Sequence, residues 1–154
     1  MKRLFTVFSL IFAGLVGFSS FGQARQNTQP AMYVVMFRAD WCGACKIVEP
    51  NLSRAMAALN DPSLQVLVID ITDGPRTERS ANLAFDAGIV PQYNNWYGVT
   101  GFAAMIDADT KRTLGCVNMV YNAQAMAQHI AALKTYALSN QPSPDTTCPA
   151  PNRL

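Results

Sequence analysis

Met32-Tyr33-Val34-Val35-Met36-Phe37-Arg38-Ala39-Asp40-Trp41-Cys42-Gly43-Ala44-Cys45-Lys46 passes from a continuous apolar run of strand length into a helical pattern, with two cysteines at the junction. An unbroken β-branched and aromatic run predicts a strand covered on both faces. From Cys42 to Leu59, Ile47, Leu52, Ala55, Met56 and Leu59 recur at spacings of three to five, which predicts a helix. Pro50 lies within it. The first turn of a helix has backbone N–H groups without intrahelical partners and the positive end of the macrodipole. A cysteine placed there is favoured as thiolate. Cys45 follows Cys42 by three positions, about one turn, so the two can close into a small disulfide and reopen by exchange.

Downstream, Asn60-Asp61-Pro62-Ser63 ends the helix and Leu64 to Ile71 reads as a second buried strand. Two strands joined by a helix predict a right-handed βαβ unit with parallel pairing. Thr77 to Ala87 reads as a short helix stopped by Gly88. Gly88 to Gly101 has no periodicity and carries Pro91, Tyr93, Trp96 and Tyr97, an aromatic-rich loop. Phe102 to Ile106 and Thr113 to Val117 flank turn-forming residues and predict a hairpin. Asn122 to Leu138 is an amphipathic helix with Asn122 as N-cap and Met126, Ile130, Leu133 and Ala137 on one stripe. The tail from Ser139 carries four prolines and no apolar pattern, so it is expected to be extended or disordered.

At the other end, Met1-Lys2-Arg3 is cationic and Leu4 to Phe18 is apolar, with the small residues Gly22-Gln23-Ala24 after it. This is the pattern of a cleaved export signal. Its apolar core of about 15 residues falls short of the roughly 20 that span a bilayer, so an uncleaved anchor is the weaker reading. The expected organisation is therefore a signal peptide at 1–24, one domain at 25–138 and a Pro-rich tail at 139–154. Cleavage removes Lys2 and Arg3 and no acid, leaving ten basic against ten acidic residues. A neutral domain without a basic cluster excludes an electrostatic argument for nucleic acid or anionic lipid. Export places the four cysteines where disulfides persist, in the periplasm if the source is bacterial and outside the cell otherwise.

The order βαβ, helix, β-hairpin, helix, together with the cysteine pair, resembles the thioredoxin superfamily. Trp41-Cys42-Gly43-x-Cys45-Lys46 is similar to the active-site stretch of thioredoxins, and Pro50 matches the proline of their active-site helix. Tyr97-Gly98-Val99-Thr100-Gly101-Phe102 resembles the run leading into their third core strand. The match covers Met32 to Leu138 and leaves the family's N-terminal strand and helix without a counterpart. The resemblance implies an α/β fold with a central mixed four-stranded sheet flanked by helices, and thiol-disulfide oxidoreductase activity. It implies Cys42 as the exposed attacking thiolate, Cys45 as the resolving thiol, and Trp41 as one wall of the site. Lys46 is read as a solvated neighbour. The implied partners are protein thiols and disulfides and a further redox protein, with no organic or metal cofactor and no stable membrane insertion after cleavage.

Three positions depart from the family. Met36 stands where thioredoxins carry a buried Asp, so proton handling at Cys45 must differ. Gly43-Ala44 lacks the usual Pro between the cysteines, which changes the poise of the couple. Ala103 falls at the position of the family's cis-proline, and since a non-proline cis bond costs about 2.5–4 kcal/mol the peptide there is expected to be trans. A rival register would make Pro91 that proline, but Gln92-Tyr93-Asn94-Asn95 is a poor buried strand beside Ala103-Ala104-Met105-Ile106.

Other readings stand beside these. The Cys42–Cys45 pair can be a static bridge, or half of a soft-metal site for Cu or Zn in a redox-inactive binding or delivery module on the same fold. No second Cys-x-x-Cys or His pair completes such a site, and His129 alone on the last helix is a surface residue. Cys116 and Cys148 either bridge, tying the tail to the sheet, or remain a buried thiol and a free one. Tyr93, Trp96 and Tyr97 either dock substrate or cap the core. Asp70 and Asp73 are read as turn residues.

Overall fold

The computed structural model describes residues 29–143 and 147–152. The expected signal peptide at 1–24 lies outside the described residues. The elements follow in the order β1 (Met32–Arg38), α1 (Cys45–Leu59), β2 (Leu64–Asp70), α2 (Gly74–Asp86), α3 (Val90–Asn95), β3 (Phe102–Asp107), β4 (Thr113–Asn118) and α4 (Ala123–Ser139). The sheet order is β2-β1-β3-β4. β1 pairs parallel with β2 and antiparallel with β3, and β3 pairs antiparallel with β4, giving the mixed four-stranded sheet expected from sequence.

Strand side chains alternate between faces, and each face has its own helices. Met32, Val34 and Met36 of β1 join Val48, Leu52 and Ala55 of α1 and Met126, Ile130 and Leu133 of α4. Tyr33, Val35 and Phe37 join Ala84 of α2, Tyr93 of α3 and Trp96 on the opposite face. The α4 stripe is the one read from sequence. On α1 the inward residues are Cys45, Val48, Leu52 and Ala55, and Ile47 points to solvent.

Three elements differ from the sequence reading. β2 is a sheet edge, so Val66 and Val68 remain 44% and 43% exposed rather than covered on both faces. α2 begins at Gly74, three residues early, because the Asp73 carboxylate accepts the Arg76 N–H at 2.9 Å and Pro75 occupies the first turn. The 88–101 segment holds the short helix α3, with Pro91 in its first turn. A proline there rules out the rival register, and Ala103 instead sits in β3 opposite Met36. No cis peptide occurs among the described residues.

Nor is the tail loose where it is described. Cys148 is bonded to Cys116 of β4, which resolves that pair as a bridge. The Thr147 hydroxyl accepts from the Cys116 N–H at 3.0 Å and donates to the Cys116 carbonyl at 2.7 Å.

Candidate active site

β1 ends at Arg38 and the chain turns through Ala39 to Ala44 before α1 begins at Cys45. The Cys42 N–H donates to the Ala39 carbonyl at 3.1 Å and closes this turn. Cys42 therefore stands just ahead of the helix rather than in its first turn. Its sulfur takes the role of a capping atom, accepting the Cys45 N–H at 3.1 Å. The two cysteines are joined as a disulfide with a Cα–Cα distance of 5.4 Å.

Burial corrects one expectation. Cys42 is 6% exposed and Cys45 2%, whereas Trp41 beside them is 63% exposed. Part of the cover comes from Gly101, at φ +90°, whose own N–H is held by the Phe37 carbonyl at 2.9 Å. A Cβ at residue 101 would lie 2.6 Å from the Ala44 Cβ and 3.4 Å from the Cys42 Sγ. Only glycine fits so close a backbone approach in that conformation. Beneath the disulfide, Met36, Ala39 and Ala103 belong to the same buried cluster as both cysteines, so the floor of the site is apolar. Gly43 faces open space, and a side chain there would meet nothing within 4 Å.

Beside the turn lies a charge network that sequence reading missed. Arg38 donates to Glu49 of α1 at 2.8 Å, to Asp40 at 2.8 Å and to Asp70 at the end of β2. Arg76 of α2 also donates to Asp40. Glu49 first, then Asp40, raise the Arg38 guanidinium further above its ordinary value. Arg38 and then Arg76 hold the Asp40 carboxyl below its ordinary value. Burial pushes Asp70 up, but hydrogen bonds from Thr72 and from Arg38 outweigh it and leave the carboxyl lowered. The network ties the ends of β1 and β2 to α1 and so fixes the turn that carries Cys42. Its sequence signal was a lone arginine closing an apolar strand; its partners are distant in the chain.

The structure places the remaining candidates as follows. Tyr93 and Trp96 are buried, with Trp96 edge-on to both Phe37 and Phe102, whereas Tyr97 is exposed. Asp73 is the N-cap of α2 rather than a plain turn residue, and Asp70 ends β2, where it accepts from Thr72 as well as from Arg38. Lys46 is exposed. His129 lies against the Tyr121 ring at 5.3 Å between centroids. Among the described residues no group of three or more His, Cys, Asp or Glu side chains is arranged to hold a metal ion.

The family model for thioredoxin matches residues 18–92 of the chain. Similar solved structures include a thiol:disulfide interchange protein from Chlorobium tepidum, 18% identical over 67% of this chain and 79% of that one, with a TM-score of 0.46. A secreted disulfide oxidoreductase of Mycobacterium tuberculosis is 20% identical over 68% and 83%, with a TM-score of 0.45. A Fasciola hepatica thioredoxin is 18% identical over 68% and 82%, with a TM-score of 0.42. No curated protein matches the chain.

Proposed function

We propose that the chain, which matches the thioredoxin family model over residues 18–92, is an exported thiol-disulfide oxidoreductase of the thioredoxin superfamily working through Cys42 and Cys45. In the reducing direction the Cys42 thiolate attacks one sulfur of a substrate disulfide. The substrate S–S bond breaks, a mixed disulfide forms, and the departing thiolate takes a proton from solvent. Cys45 then gives up its proton and attacks the Cys42 sulfur, releasing the second substrate thiolate. The substrate gains two electrons and the Cys42–Cys45 pair is left oxidised; with a substrate dithiol every step reverses.

One observation carries this reading: the Cys45 N–H, at the start of α1, points at the Cys42 sulfur from 3.1 Å. A hydrogen bond and a helix N-terminus both favour negative charge on that atom. With Met36 and Ala103 below the pair, the proton of Cys45 leaves without a carboxylate at position 36. Exposed Trp41, together with exposed Met119 and Val120 just past β4 at the same end of the sheet, gives a protein substrate apolar surface to lie on. Export is supported by the sequence of residues 1–24 and by two disulfides in one small domain.

Insulin reduction with dithiothreitol as electron source tests the proposal. Turnover by the wild-type protein that disappears in Cys42→Ser supports it. A wild-type protein without turnover that takes up Cu(I) tightly through the same thiols supports instead a metal-delivery module. The equilibrium of the pair against glutathione then sets whether the couple serves as reductant or oxidant.

A further inference from the structure

The tail is fastened at more than its cysteine. Beyond Cys148, the Pro149 carbonyl accepts the Trp96 indole N–H at 3.0 Å, and Asn152 donates from its backbone to the Asn95 carbonyl at 2.7 Å and from its side chain to the Tyr97 carbonyl. The three residues so engaged, Asn95, Trp96 and Tyr97, lie at the end of α3 or just after it, on the segment that leads to Gly101. Trp96 packs edge-on against Phe37 and Phe102, which stack on each other with centroids 4.9 Å apart. Phe37 holds the Gly101 N–H through its carbonyl, and Phe102 is the next residue in the chain. Gly101 in turn leaves no room for a side chain against Ala44 and the Cys42 sulfur. A continuous set of contacts thus runs from the second disulfide, through one indole ring, to the first.

We propose that the Cys116–Cys148 strap is a positioning element for the redox pair, acting through Trp96 on the seat of Gly101 against the Cys42 sulfur. The direction follows from solvation. With the strap in place the Cys42 sulfur is covered, and covering a sulfur disfavours its thiolate. Releasing the strap loosens the Asn95–Gly101 segment, admits water to Cys42 and favours the reduced, ionised form. The pair then becomes a stronger oxidant. The inference uses the oxidoreductase reading for its significance, but its measurement needs only the two disulfides.

The wild-type protein, Cys116→Ser/Cys148→Ser and Trp96→Phe are equilibrated with graded glutathione ratios and trapped by alkylation. Peptide mapping then reads each disulfide separately. The constant for reducing Cys42–Cys45 is expected to rise about threefold or more in the double variant, and to move the same way in Trp96→Phe, which keeps both bridges and loses the indole donor together with part of the ring packed on Phe37 and Phe102. Thermal melts run in parallel, with Lys134→Met as a variant that lowers stability far from the strap. A constant unchanged in Trp96→Phe overturns the proposal, whatever the double variant does. A constant that moves equally in Lys134→Met overturns it too, since general loosening then accounts for the shift. If the double variant does not melt cooperatively, Trp96→Phe alone decides. Insulin turnover by the wild-type protein is recorded alongside. Its absence removes the oxidoreductase reading and leaves the comparison of constants standing.

Discussion

Cys42 is readable as chemistry from its neighbours in sequence, but its cover is not. Gly101 is 59 positions away by numbering and closes over the sulfur because its backbone takes φ +90° beside Ala44. From sequence it is only one member of a family-like run before a buried strand. Its weight becomes visible when a Cβ is placed on it. In Gly101→Ala the added carbon must displace Ala44 or the disulfide turn, and an L-residue in that conformation is itself strained. The expected loss is about 1–3 kcal/mol, read as a lower urea midpoint with an unchanged slope. Stability within a few tenths of the wild type would show that residue 101 has room after all.

At the scale of elements, α1 and α4 pack on one face of the sheet and are joined at their edge by a long-range ion pair. Lys134 of α4 donates to Asp61, in the turn between α1 and β2, where Ser63 also donates from its N–H and hydroxyl. Lys134 first, then Ser63, bring the Asp61 carboxyl down to about 2 from an ordinary 3.8. Because the folded value is the lower one, the unfolded chain takes up the proton first as pH falls. The stabilisation is complete above the ordinary value and is lost as pH falls toward 2. Lys134→Met is therefore expected to lower Tm at neutral pH, with the gap to wild type narrowing as pH drops through that window. A gap independent of pH would mean that packing of the lysine stem, rather than its charge, is what the substitution removes. The helix caps belong to this scale as well. Asn122 accepts the Ala125 N–H at 2.9 Å, as its position in the sequence implies, and Asp73 does the same for α2. The second cap was legible in Asp73-Gly74-Pro75, but turn chemistry drew the reading away from it.

For the molecule as a whole, the strap joins the chain's last described residues to its outermost strand. Cys116 is fully buried in β4, at the edge of the sheet opposite β2, and its bridge spans 32 positions. Closing a loop of that length lowers the entropy of the unfolded chain by an amount worth about 3–4 kcal/mol in the chain-entropy model. Cys116→Ser/Cys148→Ser should lose stability of that order in urea, and it also places a hydroxyl where an apolar sulfur sat. A change below about 0.5 kcal/mol would mean that the tail's hydrogen bonds alone hold it in place.

What local sequence determined about this protein is what short range can determine. The apolar run of β1, the α4 stripe, the hairpin of β3 and β4 and the Cys-Gly-Ala-Cys junction each depend on neighbours within a few residues, where periodicity and turn chemistry are decided. Tertiary structure alone decided which strand lies at an edge, and hence that Val66 and Val68 stay half open. It also decided that Arg38 gathers Glu49 and Asp70, that Trp96 serves the core, and that Gly101 covers Cys42 while the tail clasps the α3 end. These contacts join residues many positions apart, and their energy exists only once the chain has closed the loops between them.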